Sequence, residues 1–478
     1  MYLKNAKGRS GIRLLVLALA STMWVAAPAA WAEDRLVLIS PHSEETKGEF
    51  EQAFIRRYRE DTGRDVSLEW LDVGGTSSIL RYVKGEFQRS PEGINIDCFW
   101  GGGIDPYMEL AEKDLLQPYV LPEQLLSPLP KTIGGVPLYD PDHRWYGATL
   151  AGFGIVYNRK VLQRLDFPDP QSWADLGRPE LYSWVGSGDP RLSGSVHMAY
   201  ELILQGYGWE KGWEVITTMG ANVRNFSSGG SQAPKDVAVG EVAYGLCIDF
   251  YAWAQVEKVG AEFVGFVMPD NLTIVNPDGI AILKGAPNRD VARALLRFVM
   301  SEEGQRLWYL RKGEPGGPIH DQLNRFTVLP GLYETEKDRA AVTLNPFDWT
   351  SDLVYDADRG SRRWSVLNDL IGVLVIDSHA QLRAAWQRAI KDGLSPGAIA
   401  HLSTPPVTEE EALRLADGWR SDPELKARTM AGWTAFARAK YGDVQQSALL
   451  RFVDFITFMF PFGIALGIVL YLWRTGSR

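Results

Sequence analysis

The chain has 478 residues, 45% of them hydrophobic, with 17 tryptophans, two cysteines and a formal net charge of −9. That is apolar material for two or three domains. Two cysteines are too few for a disulfide scaffold, and the acidic balance argues against nucleic acid or an anionic membrane surface as partner. Cys98 and Cys247 sit in apolar, strand-like runs and are expected as buried free thiols, with a bridge between them as the alternative.

Residues 1–32 begin with Lys4, Lys7, Arg9 and Arg13 and no acid, pass through the apolar run Leu14 to Ala20, and reach Ala30-Trp31-Ala32. This is the pattern of a secretory signal peptide, an uncut N-terminal anchor being the alternative. Loss of those four positive charges takes the mature chain from −9 to −13.

The body then alternates strand-like and helix-like segments. RLVLIS (35–40), DVSLEWL (65–71) and INIDCFW (94–100) read as strands. The helical stretches EETKGEFEQAFIRRYRED (44–61), SSILRYVKGEFQ (77–88) and IDPYMELAEKDLL (104–116) follow them in turn. A second set begins with WYGATL (145–150) and FGIVYN (153–158), expected as two strands. It continues through SWVGSGDP (183–190), two helical stretches over 193–220, the strand NVRNF (222–226), the helix SQAPKDVAVG (231–240) and the strand EVAYGLCIDF (241–250). Strand–helix repeats of this length imply α/β architecture with parallel strands. The chain returns through EFVGFVMP and TIVNPDGIAIL (273–283), so two lobes are expected: residues 33–142 with 272–344, and residues 143–271, with a cleft between them. Residues 345–446 read as a mainly helical extension, in which Thr408 can cap a helix opening at Glu409.

Near the end lies a run of nineteen residues without a charge, Phe455 to Trp473. As a helix it would span roughly 28 Å, close to the hydrocarbon thickness of a bilayer. Arg474 and Arg478 follow and would stay cytoplasmic. A transmembrane anchor over 449–474 is expected.

Four loops could hold a ligand: GGTSS (74–78), WGGG (100–103), GDPRLSGS (188–195) and RNFSSGGSQ (224–232). Hydroxyls and free N–H groups at a helix N-terminus suit phosphate or carboxylate, and consecutive glycines let backbone approach a ligand closely. The candidates are His42, Ser43, Thr76, Ser77, Trp100, Gly101, Gly102, Ser193, Gly194, Ser195, Asn225, Ser228, Asp249 and Tyr251. Each also has an ordinary reading as helix cap, tight turn or core residue. There is no GxSxG, HExxH or Walker A sequence, and no pair of carboxylates stands out, so no enzyme is expected.

The runs AFIRRYREDTGRDVSLEW, IDCFWGGGIDPYMELAEKDLLQPY, GFGIVYNRKVL, SWADLGRPE, GDPRLSGS and KDVAVGEVAYGLCIDFYAW share their order and spacing with a known family. From about residue 35 to 333 the chain resembles the solute-binding proteins of bacterial ABC importers, in the group that includes ferric-ion-binding proteins. The resemblance implies a two-lobe type II periplasmic binding fold that closes on its ligand by hinge motion. It also implies a small-molecule ligand, no cofactor, and an ABC permease with its ATPase as partners. With the expected anchor it places the body at the periplasmic face of the inner membrane.

In ferric-binding members the loop corresponding to Ser193–Ser195 holds an anion. Two adjacent tyrosines bind iron, helped by an acid after the third strand and sometimes a histidine after the first. Here the tyrosine pair falls on Phe250-Tyr251, Gly101–Gly103 contains no acid, and His42 stands near the histidine. Iron would therefore have His42 and Tyr251 alone. The resemblance thus implies a phosphate- or carboxylate-bearing organic anion, with Asp249 left to meet a hydroxyl or amine. A ferric receptor is the alternative. A solute-sensing subunit whose extension docks on a membrane partner is the alternative of another class.

Overall fold

The computed structural model describes residues 33–419 and 421–442. The expected signal peptide (1–32) and anchor (449–474) lie outside the described residues. Among the described residues no helix is long and apolar enough to cross a membrane.

The first lobe opens with β1 (Asp34–Ile39), β2 (Val66–Leu71) and β3 (Cys98–Gly103), followed respectively by α1 (Glu44–Thr62), α2 (Thr76–Arg89) and α3 (Asp105–Glu112). β1 pairs in parallel with both β2 and β3, as strands joined by helical crossovers must. β4 (Tyr146–Asn158) leads to β5 (Val185–Gly188), α4 (Gly194–Tyr207), α5 (Trp209–Asn222) and β6 (Val223–Ser227). Then come α6 (Gln232–Ala238), β7 (Tyr244–Ile248), α7 (Asp249–Val259) and β8 (Val264–Val267). β9 (Val275–Leu283) returns to the first lobe, which α8 (Arg289–Val299) and α9 (Glu302–Tyr309) complete.

The sheet order is β2-β1-β3-β9-β4-β7-β5-β6, with β8 on β4 and the short strand Leu116–Gln117 on β9. β4 is one strand of 13 residues, every one buried, where the sequence suggested two. A strand covered on both faces shows little alternation, so its glycines read as breaks. Tyr146 to Gly152 pair with β9, whereas Phe153 to Tyr157 pair with β7. The passage between lobes therefore falls between Gly152 and Phe153 and not at the expected 142/143. Thr273 pins the second crossing beside it, its hydroxyl donating to the Phe153 carbonyl at 2.8 Å.

The C-terminal segment comprises α10 (Ala357–Ile371), a wide π-type turn (Gly372–Asp377), α11 (His379–Lys391), α12 (Pro396–Ser403), α13 (Glu409–Gly418) and α14 (Pro423–Tyr441). Thr408 and Glu411 form a capping box at the start of α13. Expected as an extension between the cleft domain and the anchor, these helices pack into one continuous core with residues of both lobes. α10 packs on α3 and α4, and α11 and α12 pack on α5. Arg363 of α10 grips Glu201 of α4 through Nε and Nη2 at 2.7–3.2 Å, with both side chains fully buried. Tyr355, just before α10, donates to Asp105 of α3 at 2.8 Å, so the segment also reaches the first lobe. Cys98 and Cys247 are buried free thiols, one on a strand of each lobe.

Candidate functional site

Two helix N-termini meet between the lobes. α2 starts at Thr76 and α4 at Gly194, and neither first turn is capped by a side chain. The first N–H groups of a helix have no intrahelical acceptor and carry the positive end of its dipole. The meeting is close: a Cβ on Gly194 would lie 2.8 Å from Thr76 Cβ. Ser77 closes the seam behind it, its hydroxyl donating to the Pro190 carbonyl at 3.1 Å. The Ser193 and Ser195 hydroxyl oxygens lie 3.2 Å apart and face Gly230 of the loop before α6.

The floor is the glycine run at the end of β3. Gly101 and Gly102 have φ of 107° and 84°, which strongly favours glycine. Space demands it as well. A Cβ on Gly101 would meet the His42 ring at 2.9 Å, and one on Gly102 would collide with Thr76. At Gly103 it would meet the Asn276 amide nitrogen at 2.8 Å.

The remaining wall comes from the hinge. Arg325 is buried and donates to Asp278 at 2.5 Å. Its guanidinium lies 3.5 Å above the Phe250 ring and 5.1 Å from the Trp308 ring. His42 stands edge-on to Trp100 at 5.3 Å and also faces Trp308. Among the described residues neither of its ring nitrogens has a partner. Burial, then the charges of Arg325 and Lys47, hold the His42 imidazolium well below its ordinary pKa. Burial raises the Asp278 carboxyl against the opposing pull of Arg325, and raises the Tyr251 phenol likewise.

The resulting cavity measures about 220 Å³, space for roughly seven waters by their share of liquid volume. Among the expected residues, His42, Thr76, Gly102, Ser193, Gly194, Ser195 and Tyr251 line it. The others do not. Ser43 is exposed at the start of α1, and Ser77 is used between the lobes. Trp100 is fully buried beneath His42, and Gly101 offers its carbonyl to Tyr107. Asn225 and Ser228 are exposed, the cavity being reached instead by Gly229, Gly230 and Ser231.

Asp249 needs the plainest correction. It is not free to meet a ligand. Its carboxylate accepts from the backbone N–H of Gly152 at 2.8 Å and of Phe250 at 2.6 Å. Burial nevertheless pushes its pKa up to about 7. The carboxylate that does line the cavity is Asp278.

Sequence reasoning missed Asp278, Arg325, Asn276 and Phe153. The first two carried a signal: each is a lone charge within or beside an apolar run, in IVNPDGIAIL and NRFTVL. Among the described residues no group of three His, Cys, Asp or Glu side chains could hold a metal ion. His42 and Tyr251 do line one cavity, but with the Arg325 cation in its wall.

A family model described as bacterial extracellular solute-binding protein matches residues 104–338, a little under half of the chain. Among curated relatives, the phosphoglycerate transport regulatory protein PgtC of Salmonella typhimurium is 29% identical over 158 residues, covering 33% of this chain and 39% of its own length. Iron uptake protein A2 of Synechocystis is 27% identical over 211 residues, covering 41% and 56%. The chain thus spans about two fifths of the first curated relatives it matches.

Two solved structures superpose with a TM-score of 0.54. One is the periplasmic binding protein AfuA of Actinobacillus pleuropneumoniae with fructose-6-phosphate bound, 20% identical, covering 75% of this chain and 99% of that one. The other is iron-bound HitA of Pseudomonas aeruginosa, 22% identical, covering 71% and 99%. The fold is the mixed α/β two-lobe fold of periplasmic binding proteins.

Proposed function

We propose that this chain is a non-enzymatic, extracytoplasmic solute-binding protein that captures a small phosphate- or carboxylate-bearing organic anion for an ABC importer. One observation carries the reading: two uncapped helix N-termini and the hydroxyls of Thr76, Ser193 and Ser195 converge on one small cavity between the lobes. Donors so placed favour an anion. PgtC, a phosphoglycerate transport regulatory protein, and AfuA, which holds fructose-6-phosphate, support a phosphorylated solute. In this reading residues 1–32 direct export and residues 449–474 tether the body to the inner membrane, beside the permease and its ATPase.

Isothermal titration of the full-length chain with inorganic phosphate, phosphate esters, phosphonates and ferric citrate tests it. Saturable binding of at least one phosphate ester or phosphonate is expected. Heat from none of the anions would overturn the reading. The presence of His42 and Tyr251 in the cavity favours ferric iron as a second reading; a visible charge-transfer band on adding iron, lost in Tyr251→Phe, would establish it. The similarity to PgtC, a transport regulatory protein, favours a sensing subunit that docks on a membrane partner. Retention of a partner by the full-length chain, and its loss after substitutions on the outer face of α14, would distinguish that case.

A further inference from the structure

We propose that the cavity selects a hydroxyl beside the phosphate-type group, so that the solute is a polyol or sugar phosphate, with His42, Asp278 and Arg325 as the selecting residues. This rests on the function proposed above and deepens it.

The argument is one of donors, acceptors and charge. His42 and Arg325 lie against the same Trp308 ring, and His42 is one glycine along the β3 floor from Thr76. Both ring nitrogens of His42 are buried and unpartnered, and the residue lines the cavity. An imidazole carries one donor and one acceptor when neutral, and a hydroxyl is the group that can answer both. A carboxylate only accepts.

The second consideration is charge. Arg325 is the cation in this wall, and Asp278 already answers it at 2.5 Å. A second acidic group on the solute would find a neutral pair and would face the Asp278 carboxylate. A hydroxyl can accept from the guanidinium and donate to the carboxylate, leaving the pair intact. Phe153, Phe250 and Tyr251 line the same space and offer aromatic surface to the C–H face of a polyol. At about 220 Å³ the cavity has room for a small phosphate ester.

Titration calorimetry on the full-length chain with two matched pairs tests the proposal. The first pair is glycerol 3-phosphate against 3-phosphoglycerate; the second is fructose 6-phosphate against 6-phosphogluconate. Inorganic phosphate is the reference. In each pair that binds, the member with the neutral end should bind at least tenfold tighter. His42→Phe should reduce that preference to under threefold, and His42→Gln, which keeps a donor and an acceptor, should restore it. If His42→Phe does not fold, Asp278→Asn serves: relief of the like charge should improve binding of the acidic members relative to the neutral ones. Equal or tighter binding of an acidic member by the wild type overturns the selection by hydroxyl but leaves the anion receptor standing. Heat from neither pair nor inorganic phosphate removes the receptor reading itself.

Discussion

Two buried histidines show how differently this molecule uses the same chemistry. His197 of α4 is fully buried, stacked on Trp364 at 3.6 Å, with Nδ1 2.7 Å from the Asn368 carbonyl oxygen. Burial holds its pKa at about 4. Glu201, one turn on, is matched by Arg363, which Glu409 also approaches at 2.5 Å. His42 is 6% exposed, equally aromatic in its surroundings, and among the described residues has no partner on either nitrogen. Burial alone does not separate scaffold from site. What separates them is that the chain supplies a partner to one ring nitrogen of His197 but, among the described residues, to neither of His42.

The strongest way to break this contrast is at the Arg363–Glu201 pair. Arg363→Ala leaves Glu201 buried without its cation, which costs about 3–5 kcal/mol in comparable cases. Equilibrium denaturation should show that loss. Arg363→Met combined with Glu201→Leu should cost much less than Arg363→Ala, because no charge is then stranded. A loss below about 1 kcal/mol in the single variant would mean that the Arg363–Glu201 pair does not hold α10 to α4.

The cleft should respond in the opposite manner. Thr76→Val, Ser193→Ala and Ser195→Ala together remove three hydroxyls from the anion end. Hydrogen bonds to a charged group contribute about 1.5–3 kcal/mol each, so affinity for the anion should fall at least a hundredfold while the thermal midpoint stays close to wild type. Tyr251→Phe should change anion affinity less than threefold by calorimetry. If Tyr251→Phe proves the larger loss, the metal reading gains and the anion site recedes.

How much of this was legible depended on locality. The loops around Thr76, Gly102 and Ser193–Ser195 could be found because glycine, hydroxyl and helix start lie next to one another in the chain. Asp278 and Arg325 could be suspected only as misplaced charges, since their meeting depends on how the return strand and residues 324–326 cross the hinge. The passage between lobes at Gly152/Phe153 left no mark, because β4 is buried throughout and its side chains do not alternate. The buried role of Asp249 was hidden too. Nothing in CIDFYAW says that the backbone of Gly152, 97 residues away, donates to its carboxylate.

That carboxylate offers the smallest and sharpest test. Asp249 and Asp105 are both buried, and burial raises each to a pKa of about 7. For Asp249 the backbone donors and Arg325 oppose the rise; for Asp105 the Tyr355 hydroxyl opposes it and Glu201 adds to it. The folded protein therefore holds these protons more tightly than the unfolded chain, whose aspartates titrate near 4. Their contribution to stability is complete below about pH 4 and is lost as pH rises through about 7. Asn at either position carries no such dependence. The thermal midpoint of wild type, compared with that of Asp249→Asn or Asp105→Asn, should fall by a few degrees between pH 5 and pH 8, and the double variant should show the sum, the two sites lying on different helices. A constant difference across that range would mean that both carboxylates stay ionised. The Tyr355–Asp105 contact would then be a charged anchor between the C-terminal helices and the first lobe.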